Sequence, residues 1–285
     1  MNTKAAVLTF FLFAWLQVMS KEPIRVLVVT GQNNHYWRES ASILTKYLNR
    51  SELFKADVAI SPGSGEDMSI FRPEFSNYKA VVLDYNGDEW SEETKAAFLA
   101  YVKNGGGVVV YHAADNSFPK WREFNEIIGL GGWGDRSEAS GPYIYYKDGK
   151  LVRDNSAGPG GSHGSQHEFK IVAVEKEHPI MKGLPASWTH ARDELYDKLR
   201  GPAMNLTVLA TAFSAEDTGG TGRDEPVLMT VTWGAGRIFH TVLGHVGKEA
   251  KHPAVECSSF EVTFLRGTEW AATGAVTQTN TLISK

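Results

Sequence analysis

The feature that most restricts how this chain folds is an alternation running from Ile24 to Ile128. A short apolar run, a polar loop and an amphipathic stretch follow one another repeatedly. Ile24-Arg-Val-Leu-Val-Val-Thr30 and Val108-Val-Val-Tyr111 are apolar runs rather than alternating patterns, as in strands buried on both faces. Phe54 to Ile60 and Tyr78 to Asp84 read as two further strands. Between them, Arg38 to Asn49 carries Ile43, Leu44, Tyr47 and Leu48 at helical spacing. Ser91 caps a second helix, with Glu92 and Glu93 in the first turn where the helix dipole favours acids. That helix carries Phe98, Leu99 and Val102 and stops at Asn104-Gly105. Strands joined by helices through short connections predict an α/β fold: a doubly wound, mostly parallel sheet with helices on both faces.

Such a sheet binds ligands in the crevice outside the carboxyl ends of its strands. The first strand delivers Asn33, Asn34 and His35 there, the third Asn86 and Asp88, and the fourth His112 and Asp115. A late strand ending at Leu243-Gly-His245 adds another imidazole. Asp193-Glu194-Leu-Tyr196 is a compact acidic pair with an aromatic, read either as a solvated turn or as a carboxylate working with His112 or His245. Polar and titratable groups converging on one edge meet the criteria for a pocket.

Further along, Phe118 to Ile128 reads as a helix, and then the pattern changes. From Gly129 to Gly164 glycines and serines are dense and only Tyr143 to Tyr146 is strand-like. A loop this long in a compact domain is usually functional, so 129–164 is expected to form a lid or rim presenting Trp133. Gly160-Gly-Ser-His-Gly164 matches the nucleophile-elbow pattern but lacks a strand before it and a helix after it, and is set aside as chance. His163 and His167 are read as solvated loop histidines, with zinc as the reading if a carboxylate or third histidine converges on them. His240, inside a strand, is expected to be packed and hydrogen-bonded. Trp233-Gly-Ala-Gly236 predicts a hairpin between the last two strands, and Ser258 to Ala272 a closing helix.

With no repeat or clean linker, residues 21–285 form one domain. The formal charge of −4 and the absence of a dense Lys/Arg cluster argue against nucleic acid as a partner. Residues Met1 to Ser20 read as an export signal, with one charge at Lys4 and an apolar run too short for an ordinary membrane span. The expectation is an exported, periplasmic protein without stable membrane insertion once the signal is removed. A single cysteine, Cys257, excludes an internal disulfide. The oligomeric state stays open, a homo-oligomer included.

Together these pieces resemble the ThuA family, the trehalose-utilisation-like proteins of the class I glutamine amidotransferase-like superfamily. The resemblance spans Ile24 to Ala272. It rests on Val-Thr-Gly31 with Asn34-His35, Gly-Gly-Gly107 with Val-Tyr-His112, His178-Pro, Asp193-Glu194-Leu-Tyr196, Pro226-Val, Trp233-Gly, Gly236-Arg, Gly244-His245 and Glu269-Trp-Ala. It implies a flavodoxin-like sheet. Glutaminases of the superfamily carry a cysteine nucleophile where this chain has His112 and Ala113, so thiolate amidotransferase chemistry is not expected. It also implies sugar utilisation, with oxidised (keto) sugars as a substrate class.

The expectation is therefore an exported enzyme acting on a carbohydrate or keto-glycoside by hydrolysis or elimination. His112 and His245, with Asp193 and Glu194, would be the catalytic groups. Asn34, His35, Asn86, Asp88, Asp115, Tyr196 and Trp133 would bind substrate. A keto group acidifies the neighbouring C–H, which brings a histidine base into range. Two alternatives accompany this reading. One is a non-catalytic sugar-binding protein stacking its ligand on Trp37, Trp90 and Trp133; the other is a hydrolase dependent on a divalent metal such as zinc, for which the nine histidines offer ligands.

Overall fold

The computed structural model describes residues 22–279; the expected export segment, residues 1–20, lies outside them. The elements in chain order are β1 (Ile24–Thr30), α1 (Trp37–Arg50), β2 (Phe54–Ile60), β3 (Ala80–Leu83), α2 (Glu92–Lys103) and β4 (Gly107–Tyr111). A 3-10 turn (His112–Asn116) precedes α3 (Arg122–Ile128), β5 (Tyr143–Lys147), β6 (Lys150–Asp154), β7 (Ser162–His163) and β8 (His167–Ala173). Then come β9 (Ser187–Asp193), β10 (Tyr196–Asp197), β11 (Leu206–Ser214), β12 (Arg223–Trp233), β13 (Gly236–Thr241), α4 (Pro253–Glu256) and α5 (Ser258–Thr273).

The main sheet runs β2-β1-β3-β4-β13-β12-β11-β8-β9. From β2 to β13 all neighbours are parallel. Side chains alternate between faces along a strand, and the core divides accordingly. Val26 and Val28 of β1 pack with Leu44 and Leu48 of α1 and Phe260 and Phe264 of α5. Leu27 and Val29 pack with Phe98 and Val102 of α2 and Phe124 and Ile127 of α3. This is the doubly wound α/β arrangement the alternation predicts. Ser91 caps α2 as expected, its hydroxyl accepting from the Thr94 N–H. The helix expected from Phe118 starts only at Arg122, because Phe118 adopts a left-handed backbone (φ 46°) and Pro119 follows.

Beyond β13 the sheet continues through antiparallel strands. The β12–β13 hairpin turns where expected, pairing Trp233 with Gly236. Counting reversals, β9 runs in the same direction as β13, so its carboxyl end, Asp193, lies on the same edge as those of β1, β3 and β4. Four strand spacings separate β13 from β9, about 19 Å in a flat sheet. Yet the Gly244 N–H bonds Asp193 Oδ2 at 2.7 Å. The antiparallel half therefore curls back over the edge, assisted by register shifts in β11–β12 and β8–β9, which bend strands.

The 129–164 segment is more ordered than expected. Its β5–β6 hairpin touches β12, Tyr146 opposite Asp224, and β7 pairs with β10. Two buried guanidiniums tie it down. Arg200 donates to the carbonyls of Gly141, Gly158 and Ser156 and lies over the Tyr143 ring. Arg136 donates to the carbonyls of Asn116, Gly132 and Ser117 and to Asn125 Oδ1.

Candidate functional site: four imidazoles around Glu194

Glu194, the residue after β9, sits where the two halves of the sheet meet. Its Oε2 is 3.6 Å from His35 Nε2, 3.7 Å from His112 Nε2 and 3.9 Å from His163 Nε2; its Oε1 is 3.3 Å from His245 Nε2. These residues come from the ends of β1, β4, β7 and β13. The cavity above them, about 780 Å³, is lined by His35, His163, Glu194, Tyr196 and His245, by the amides of Asn33, Asn34, Asn86 and Asn116, and by Tyr36 and Trp133. Tyr196 stacks on His112 with centroids 4.3 Å apart, and Trp133 meets Tyr196 edge-on at 4.7 Å. A cavity of about 550 Å³ at the amino ends of β3 and β4, lined by Arg72, Tyr78 and Gly106, has no comparable cluster.

The supporting contacts set the protonation pattern. His112 Nδ1 lies 2.6 Å from the Val242 carbonyl, which only accepts, so Nδ1 carries a proton and Nε2 is left to face Glu194. Asn33 donates its amide to Asp84 Oδ1, which turns its oxygen toward His35: Oδ1 accepts from the His35 backbone N–H and lies 3.3 Å from Nδ1. His163 Nδ1 is held by the Gly164 carbonyl at 2.8 Å, which points Nε2 at the cavity. Gln166 bridges Glu194 Oε1 and His245 Nδ1, each at 3.3 Å.

Burial pushes Glu194 up, but His112 and His35 outweigh it and hold the carboxyl well below the usual carboxylate range. Burial pushes His112 down, but Glu194, Asp193 and the Val242 carbonyl outweigh it, so the first proton goes to His112. Burial and the charge on His112 and His245 bring His35 down to about 4. Burial and the charge on His112 also lower His245. One positive charge beside Glu194 is thus favoured and a second is resisted.

Of the expected site residues, Asn34, His35, Asn86, Trp133, Glu194, Tyr196 and His245 line the cavity together. Four others do not. His112 is 2% exposed and lies behind Glu194, so it faces the cavity only through that carboxylate. Asp193 is fully buried and its oxygens are filled: it accepts from the backbone N–H of Glu194, Gly244 and His245 and faces His190 Nε2 at 2.8 Å. It positions the site and does not touch the cavity. Asp115 is equally buried, facing His240 Nε2 at 3.3 Å, while His240 Nδ1 bonds the Ile128 carbonyl. Asp88 accepts from Gly65 N–H and lies outside the cavity, in a shallow groove beside Ser64 that adjoins it at Asn33, Asn34 and Asn86. Trp90, offered as a stacking platform, is core, packed among Phe71, Phe75, Phe98 and Phe118.

Sequence reasoning passed over His163, Asn116 and Gln166. His163 reads from the sequence as a solvated loop residue, or as a zinc ligand if a carboxylate or third histidine converges on it, and nothing local tells the two apart. Its neighbour His167 stays outside, held by the Ser165 carbonyl. Asp193, His190 and Ser259 line up as acid, imidazole and hydroxyl, but Asp193 and His190 have no exposed surface. That row ties β9 to α5, and Cys257 packs beside it, away from the cavity.

The fold and the site together define a class of α/β protein whose pocket lies at the carboxyl edge of a flavodoxin-like sheet and is built from imidazoles, a carboxylate and amides. The chain belongs to the ThuA family, described as trehalose utilisation, whose model matches residues 25–271. It is similar to a ThuA-like protein from Parabacteroides merdae, with 57% identity over 90% of this chain and 92% of that one and a TM-score of 0.88. A ThuA-like protein from Bacteroides uniformis shares the fold at 18% identity and a TM-score of 0.59, over 94% of this chain and 98% of that one. No curated protein matched the chain.

Proposed function

We propose that this protein is an exported carbohydrate-processing enzyme that moves protons on a sugar or keto-glycoside in the Glu194 cavity. One observation carries the reading: three imidazoles, His35, His163 and His245, share with Glu194 a cavity whose lining also holds four amides, aromatic rings and Lys248. Amides match sugar hydroxyls in hydrogen-bonding capacity, and aromatic faces match the apolar face of a pyranose. Membership in a trehalose-utilisation family points the same way. Export rests on the apolar run at residues 5–16.

His163 and His245 are the proton carriers. His163 presents an unblocked Nε2, and His245 is oriented by Glu194. On a keto-glycoside, an imidazole takes the proton from the carbon next to the carbonyl. The electron pair left behind forms a carbon–carbon double bond, and the glycosidic C–O bond breaks. The same proton passes to the leaving oxygen, and the imidazole ends neutral. The test is incubation with a panel of 3-keto-glycosides and their parent glycosides, followed by NMR. Expected are release of the aglycone alcohol and a rate about 100-fold lower in His163→Gln or His245→Gln. Unchanged substrate across the panel would overturn the reading.

A further inference from the structure

We infer that His35, His112 and Glu194 form a binding site for one divalent first-row metal ion, open to the cavity on its remaining side. This rests on the preceding reading only for the location of the substrate.

The argument starts from what faces what. His35 Nε2, His112 Nε2 and a Glu194 oxygen all lie within 4.8 Å of one another. With both Nδ1 positions turned to acceptors, the Val242 carbonyl and the Asn33 side-chain oxygen, both Nε2 atoms face the carboxylate and present lone pairs to it whenever the imidazoles are neutral. Three acceptors converging in a desolvated place repel unless a proton on His112 or a metal cation lies between them, and the two compete for the same nitrogen. Among the described residues His112 Nε2 is buried with no hydrogen-bond partner, which native proteins rarely leave unexplained.

Spacing separates a metal from a simple hydrogen bond. Hydrogen-bonded nitrogen and oxygen lie about 2.9 Å apart. Ligand atoms on a tetrahedral ion with bonds of about 2.1 Å lie about 3.4 Å apart. The observed separations of 3.6 and 3.7 Å fit the second pattern. Two imidazoles with one carboxylate select zinc, iron, manganese or cobalt over calcium or magnesium, which take oxygen ligands. The outer contacts fit as well, since metal-bound histidines donate their other ring N–H to a carbonyl or side-chain oxygen. The open position faces His163, Nε2 3.9 Å from Glu194 Oε2, where an ion would polarise a substrate oxygen.

The chain is purified without chelator or polyhistidine tag, and its metal content is measured by mass spectrometry. The stripped protein is then titrated with Zn²⁺ and Co²⁺ by calorimetry and visible absorption. Expected is about one equivalent of metal per chain, lost on stripping and restored on titration. His35→Ala and the near-isosteric Glu194→Gln weaken affinity more than about 100-fold, whereas His167→Ala does not. Thermal melts confirm that each variant is folded. Wild-type binding no tighter than that of folded Glu194→Gln would overturn the inference. The two readings fail separately: turnover of keto-glycosides by metal-free protein that takes up no ion sinks the metal site alone. Stoichiometric binding without turnover on the panel upholds the metal site and sinks the proposed reaction.

Discussion

Asp193 shows how much one buried carboxylate organises. Its two oxygens hold the backbone N–H groups of Gly244, His245 and Glu194, so the same side chain positions two of the cavity's titratable groups. Tyr111 adds a hydroxyl bond to the Gly244 carbonyl. Gly244 has φ +102°, and a Cβ there would stand 2.6 Å from the Phe260 ring, so this tight passage admits glycine alone. Asp193→Asn puts an amide donor where an oxygen accepted N–H groups. It should lower stability by about 2 kcal/mol or more in urea denaturation, since buried donors lose their acceptor. An unchanged midpoint would show that the clamp carries little. His112 is informative in another way. It takes a left-handed backbone (φ 46°) directly after β4, a conformation that costs a non-glycine residue energy and is found disproportionately at functional sites.

At the scale of elements, the 129–164 segment works as a fixed wall. Its backbone carbonyls, lacking sheet partners over long stretches, are satisfied by Arg136 and Arg200 instead. Arg200 is fully buried and serves three carbonyls. Replacing it by methionine keeps volume but leaves those acceptors bare. The expected loss is at least about 3 kcal/mol, with protease cleavage appearing first between residues 141 and 158. Cleavage that instead begins elsewhere would show that the wall is held by its hairpin. The same tethering brings Trp133 and His163 to the cavity, although nothing local in a run of glycines and serines indicates which residues will face inward.

Across the whole molecule, buried carboxyls shape the response to pH. Burial pushes Glu225 in β12 up to about 7, opposed by a bond from Thr221 and by Arg223 and reinforced by Asp197. Burial likewise pushes Asp84 up to about 7 against bonds from Ser40, Thr30 and Asn33. A carboxyl whose folded pKa exceeds its unfolded value favours the folded state most when protonated. Its contribution is complete below about pH 4.5 and is lost as pH rises through about 7. For Glu225 the loss is on the order of 3 kcal/mol. Glu225→Gln should therefore raise stability at pH 7 relative to pH 4.5 by about 3 kcal/mol compared with the parent chain; Asp84 adds to the same decline, while His35, down at about 4, opposes it. Denaturant melts across this window check it, and an identical slope in the variant would refute it.

The chain's own pattern of apolar runs and helical faces is enough to place four parallel strands, their helices and the edge where the cavity opens. Side-chain period and chain direction are local properties, and parallel neighbours must end on a common edge. Hence the gathering of Asn34, His35, Asn86 and His245 at one edge is legible in the sequence. Local pattern carries no information on how far a sheet curls or which of two adjacent acids faces inward. Bulges and long-range packing bring Glu194 back over β1 and β4, turn Asp193 into the interior, hide His112 behind the carboxylate and draw in His163. Those outcomes depend on contacts between residues some 30 to 160 positions apart, which only the folded chain brings within bonding distance.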